Sequence, residues 1–208
     1  MIGRRITLLL AVALAGGGLS GCISLLPQTA PAQLYRFGVG EGTAAQVAPG
    51  PLRVVVLGPV VLPRAAAGDG ILTSEGAETA YIAGARWIEP ANTLFREAID
   101  RTFDRAAPSI RILARGEAGR ADAVLSLEVT RFEARYDAPK APPTVAVTIR
   151  ARLSAIDGTT IASRVFDVPR PAATDRAGAI VLAFDAATTE ALGGVAVWVS
   201  QALPAAPR

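Results

Sequence analysis

Cys22 is the only cysteine of this 208-residue chain, and it closes the run Leu19-Ser20-Gly21-Cys22. Ahead of it stand Arg4 and Arg5, an apolar stretch from Ile6 to Ala15, and small residues. That three-part layout is a secretory leader, and a cysteine at its end is the acceptor for acyl chains such as palmitate in a bacterial lipoprotein. The apolar stretch is too short to cross about 30 Å of hydrocarbon as a stable helix. Each buried methylene adds roughly 0.8 kcal/mol of membrane affinity, so several chains on Cys22 would hold where one would not. Residue 23 is Ile rather than Asp, which under Gram-negative sorting rules favours the outer membrane, with the protein on its periplasmic face.

Other reactive chemistry is scarce. Histidine is absent, which removes the commonest general base and the usual zinc ligand. Serine–histidine triads, thiol catalysis and typical transition-metal sites go with it, and no cofactor is expected beyond the acyl chains on Cys22. Asp100 and Asp104 are four apart on a helical pattern, but Arg96, Arg101 and Arg105 surround them, so they read as a solvated face. Gly38-Val39-Gly40-Glu41-Gly42 has the glycines of a phosphate-cradling loop without the strand-to-helix context or the following lysine. The chain is therefore read as a non-enzyme with no catalytic and no metal-binding residues.

One cluster remains as a candidate contact site: Arg86, Trp87, Glu89 and Pro90, within Arg86-Trp87-Ile88-Glu89-Pro90. In one reading Trp87 fills the core between a sheet and a helix, and Glu89 favours the positive start of that helix. In the other, Trp87 and Arg86 are exposed anchors for a partner, as such residues often are at interfaces.

Positioning these residues requires a domain. Residues 1–21 are expected to be the leader, 22–33 a lipidated tether carrying Pro27 and Pro31, 34–204 one folded unit, and 205–208 a tail. Removing the leader leaves 187 residues, enough for one ordinary domain and short for two. The formal charge falls from +3 to +1 when Arg4 and Arg5 leave, so the basic pI is no argument for nucleic acid. No disulfide can form, and the core must stabilise the fold unaided.

Gly38 to Pro51 reads as a flexible loop, and Leu52 to Leu57 as a buried β-branched strand. Ile71–Ser74 and Thr79–Ala83 are expected to form a hairpin. Pro90 opens a helix whose apolar face is Leu94, Phe95, Ala98, Ile99, Thr102 and Phe103, ending before Pro108. Strands follow over 110–114, 123–136, 144–156 and 159–168, the last two joined by a tight turn at Asp157-Gly158. Within 123–136 the apolar parity changes, which a bulge near Thr130 would reconcile. A long helix over 175–203 has the stripe Ile180, Phe184, Ala187, Ala191, Val195, Trp198 and Val199. Gly193-Gly194 lowers its propensity by about 2 kcal/mol and is expected to bend it. Arg176, Asp185 and Glu190 argue against its spanning a membrane. The expected fold is an α/β sandwich: one mixed sheet of about five to six strands with two main helices packed on it.

The chain resembles the ABC-type transport auxiliary lipoproteins, which include the paraquat-inducible protein C group. The likeness rests on the leader and Cys22, on Leu34-Tyr35-Arg36-Phe37, on Leu52 to Val61 leading to Pro63, and on Gly70-Ile71-Leu72. It continues through Arg86 to Pro90 and through Arg164-Val165-Phe166 with Pro169, before an alanine-rich terminal helix. The resemblance implies a non-catalytic auxiliary or docking component of an ABC-type phospholipid transport system. Its expected partners are an ABC permease and ATPase and a protein with a mammalian-cell-entry domain, with homo-oligomers compatible and no nucleic acid. The rival readings are a binding protein with lipid in an internal cavity, and a structural lipoprotein assisting outer-membrane or cell-wall assembly.

Overall fold

A computed structural model describes residues 31–40, 51–114, 116–117, 119–138 and 141–203. The expected leader, Cys22, most of the tether, the greater part of the 38–51 loop and the tail lie outside these residues.

The longest strand is the spine. Alternating apolar residues in β6 (Ala123–Tyr136) give it one buried face, and it pairs along its length with antiparallel β7 (Thr144–Ser154). The register shifts between Val129 and Arg131. That bulge is the device needed to bury Leu125, Leu127 and Val129 together with Phe132 and Ala134 despite their opposite parity. Strand β7 carries Val145, Val147, Ile149, Ala151 and Leu153 inward, all fully buried, while Arg150 and Arg152 face solvent. Strand β8 (Thr160–Pro171) returns antiparallel to β7. Gly158 makes the turn at φ +89°, and the Asp157 carboxylate accepts the Thr159 N–H at 2.8 Å.

The other side of β6 is shared. Its first half takes β2 (Arg53–Val61) in parallel, and its last three residues take β3 (Gly70–Glu75), also in parallel. Beyond β2 lies parallel β5 (Ile110–Leu113). Beyond β3 lie antiparallel β4 (Glu78–Trp87) and then β1 (Gln33–Tyr35), parallel to β4. The result is one mixed sheet of eight strands, with two helices packed on it. The count exceeds the expected five to six for two reasons. β1 is only three residues long and gains its pairing from β4, a partner far away in sequence. The two arms of the hairpin at 70–87 join the main sheet instead of standing apart from it.

Helix α1 (Ala91–Ala106) lies in the connection between parallel β2 and β5. Pro90 stands just before it at φ −51°, ψ 136°, and the buried face is the expected one, extended by Ala91 and Ala106. Helix α2 (Ala177–Ala202) buries every residue of its expected stripe. By length and composition it could cross a membrane, yet its apolar side lies against β7, β8 and α1. Between the layers five rings meet: Phe132 lies 5.0 Å from Phe37, 6.0 Å from Trp87, 5.0 Å from Phe95 and 4.7 Å from Phe184.

A polar clasp joins the end of β6 to the turn ahead of α2, where the Tyr136 hydroxyl donates to Asp175 at 2.5 Å. Burial first, and the neighbouring carboxylate second, push this phenol up to about 12. Its folded pKa thus lies above the unfolded value of about 10. The stability it contributes is complete below pH about 10 and is lost as pH climbs towards 12. In alkaline unfolding followed by circular dichroism, the stability gap between the native chain and Tyr136→Phe should close over that window. A gap that stays constant from pH 9 to about 12 would refute the assignment.

Candidate functional site

The sequence-predicted cluster is divided by the fold. Trp87, at the end of β4, is 2% exposed and stacks edge-on to Phe37 and Phe184, so its indole presents no surface to a partner. Arg86 points the other way, as alternation along a strand requires, and pairs with Asp69 at 3.0 Å across a shallow depression that Tyr81 also lines. Both members of that pair are about half exposed, so it contributes at most about 1 kcal/mol. Glu89 and Pro90 are exposed at the start of α1. Asp100 and Asp104 stay on the wet side of α1. Partial burial, then Asp104, raise the Asp100 carboxyl above its ordinary range, against the pull of Arg101 and Arg96. Glu97, one turn away, adds to the same push but is itself paired with Arg101, and among the described residues no group of three or more potential metal ligands occurs.

The larger concavity lies elsewhere. A groove of about 950 Å³ runs over α2, with β8 on one flank and the end of α1 and Gly40 on the other. Its apolar part is Phe166, Val168, Val197 and Trp198; Phe166 and Trp198 meet edge-on at 6.1 Å. Gly194 is what lets β8 come this close, since a Cβ there would stand 3.0 Å from the Phe166 ring. At Gly193 a Cβ would meet nothing within 4 Å, so this position opens the groove instead of tightening it. The pair does not break the helix, which runs unbroken from Ala177 to Ala202. A close strand approach accounts for Gly194, a use that a glycine inside a helical pattern signals as well as a bend.

Charge in the groove is asymmetric. Every carboxylate lining it is engaged. Asp185 accepts the N–H groups of Val39 and Gly40 at 2.9 and 3.2 Å, and Glu190 is paired with Arg170, while the carboxylate of Asp167 lies on the far face of β8, where it accepts the Thr148 hydroxyl at 2.5 Å. Two guanidiniums have no carboxylate among the described residues. Arg105 donates to the carbonyls of Arg101 and Gly40, and Arg164 lies 5.3 Å over the Phe166 ring. The same contacts correct the expectation of a flexible loop from Gly38. Residues 38–40 are fastened to both helices, with the Arg101 Nε–H donating to the Gly38 carbonyl at 3.1 Å. In the sequence Asp185 shows only as a charge on the terminal helix, because its backbone partners stand 145 and 146 residues away.

The described residues thus form an α/β domain with two helices packed on a mixed sheet and an open groove across one of those helices. The chain belongs to the family described as the ABC-type transport auxiliary lipoprotein component, whose model matches residues 35–196. Its fold is similar to that of protein XCC0632 from Xanthomonas campestris, of family DUF330. The TM-score is 0.70 at 24% identity, over 82% of this chain and 96% of that one. A second solved structure, an uncharacterized protein, gives a TM-score of 0.64 at 16% identity, over 81% and 99% of the two chains. No curated protein matches the chain significantly.

Proposed function

We propose that the protein is a non-catalytic docking component of an ABC-type phospholipid transport system, held by acyl chains on Cys22 at the periplasmic face of the outer membrane. The observation that carries this reading is the family match across nearly all of the folded domain. The bare chemistry of the chain agrees with it, since docking needs a rigid surface and an anchor, while the ATPase partner supplies the energy. A permease, that ATPase and a protein with a mammalian-cell-entry domain are the partners this role requires.

Crosslinking in intact cells, followed by identification of the trapped proteins, is the test. Permease, ATPase or carrier subunits are expected, and recovery of peptidoglycan enzymes alone would end the transport reading. The anchor is tested separately. Cys22→Ala should give an unprocessed or soluble product, whereas unchanged processing and membrane retention would show that Cys22 carries no lipid.

A further inference from the structure

Strand β8 is an edge: among the described residues it pairs only with β7. Its backbone groups therefore point alternately towards β7 and into the open. The Ala172 N–H donates to the Pro143 carbonyl at 2.9 Å, which fixes the parity. Even-numbered residues of β8 from 162 face β7, and odd-numbered ones face outward. Pro169 and Pro171 are both odd, so the two prolines remove N–H groups only where an added strand would need them. This is how sheets blunt an edge, and here it protects just the C-terminal end. Upstream, Ser163, Val165 and Asp167 keep outward N–H and C=O groups, and Val165 is 55% exposed.

The open half also carries two arginines free of carboxylates among the described residues, while the Asp167 carboxylate at its end is held by the Thr148 hydroxyl. Arg164 projects on the helix side, where the groove lies. Arg152 projects on the opposite side, since it is the β7 partner of Ser163. Neither guanidinium has a carboxylate partner among the described residues, whereas Arg170, beside the prolines, is paired with Glu190. Main-chain groups without partners among the described residues call for an extended peptide, and arginines on both faces without carboxylates among those residues call for acidic side chains.

We propose that β8, from Ser163 to Asp167, accepts an acidic extended segment of a partner protein as an additional strand of the sheet. This rests on the docking role proposed above and adds the place and chemistry of one contact. An anionic membrane surface would satisfy the arginines but would leave the edge amides unused.

The test uses a fluorescent peptide of alternating Glu and Val, its Lys–Val counterpart, and phosphatidylglycerol vesicles, each titrated against the full chain. The Glu–Val peptide is expected to bind at least about tenfold tighter than the Lys–Val one, and to weaken as salt screens the charges. Val165→Pro removes one outward N–H and none that β7 uses, so it should keep the native circular dichroism spectrum and lose most of the binding. If that variant fails to fold, Arg152→Glu with Arg164→Glu serves instead, and should weaken the Glu–Val peptide by at least about tenfold. Equal binding of both peptides, full binding by folded Val165→Pro, or binding of vesicles without peptide would each overturn the proposal. If transport partners are still trapped in cells when any of these occurs, the docking role stands and only this edge is excluded from it.

Discussion

Phe132→Ala should destabilise the domain by about 3–5 kcal/mol, out of a total that for domains of this kind is about 5–15 kcal/mol. The ring is 2% exposed and stands at the bulged part of β6, with Phe37, Phe95, Phe184 and Trp87 around it. Truncation removes the apolar burial and leaves a void. It also removes four aromatic contacts, each worth about 0.5–1.5 kcal/mol beyond area. The cavity cannot collapse easily, because its walls belong to β1's exit, β4, α1 and α2, and no single element can move without unseating the others. Phe132→Leu, which keeps most of the volume, should cost about 1.5 kcal/mol or somewhat more, the excess being the lost ring geometry. Urea unfolding followed by tryptophan fluorescence checks both, since Trp87 lies within the cluster and reports its loss. An Ala variant within about 1 kcal/mol of the native chain would mean that the cluster is not the keystone of the core.

Much of this architecture is legible in the residues, because most elements bury one face and expose the other. The α1 face, the α2 stripe, the Asp157-Gly158 turn and the parity change in β6 are local patterns, and each is found where its pattern lies. What is not legible depends on partners distant in sequence. Strand β2 runs on through Gly58-Pro59 to Val61, since β6 offers it a second register after the irregularity at Leu57. Strand β1 exists because β4 is there to receive it. For the candidate site the division is sharper. Arg86, Trp87, Glu89 and Pro90 are adjacent in sequence, and the fold sends Trp87 inward while the other three stay outside. The residues that do meet at the groove come from α1, α2, β8 and Gly40, and no spacing rule brings those four together. Arg164-Val165-Phe166 is visible in the sequence as a strand, but its being an edge is a property of the whole sheet.

The second large effect is expected from two glycines whose replacement by Ala should act in opposite directions. Gly38 sits at φ +72°, and a Cβ there would stand 2.4 Å from the Ala98 Cβ on fully buried ground. Left-handed backbone costs a residue with a side chain about 1–2 kcal/mol, and forcing a methyl into a packed contact adds about 1–3 kcal/mol. Gly38→Ala should therefore cost about 2–5 kcal/mol, and the anchoring of residues 38–40 to Arg101 and Asp185 should loosen with it. Gly193 is helical with open space beside it, so Gly193→Ala should stabilise the protein by about 1 kcal/mol. Denaturant midpoints give both signs in one experiment. The cause at Gly38 can also be divided, because Ala98→Gly removes the methyl that the new one would strike. The double variant should recover the packing part of the loss but not the backbone part. Its stability should thus exceed the sum of the single effects by about 1–3 kcal/mol. Simple additivity would show that the close approach of β1's exit to α1 is not what requires glycine at position 38, and that the backbone conformation alone does.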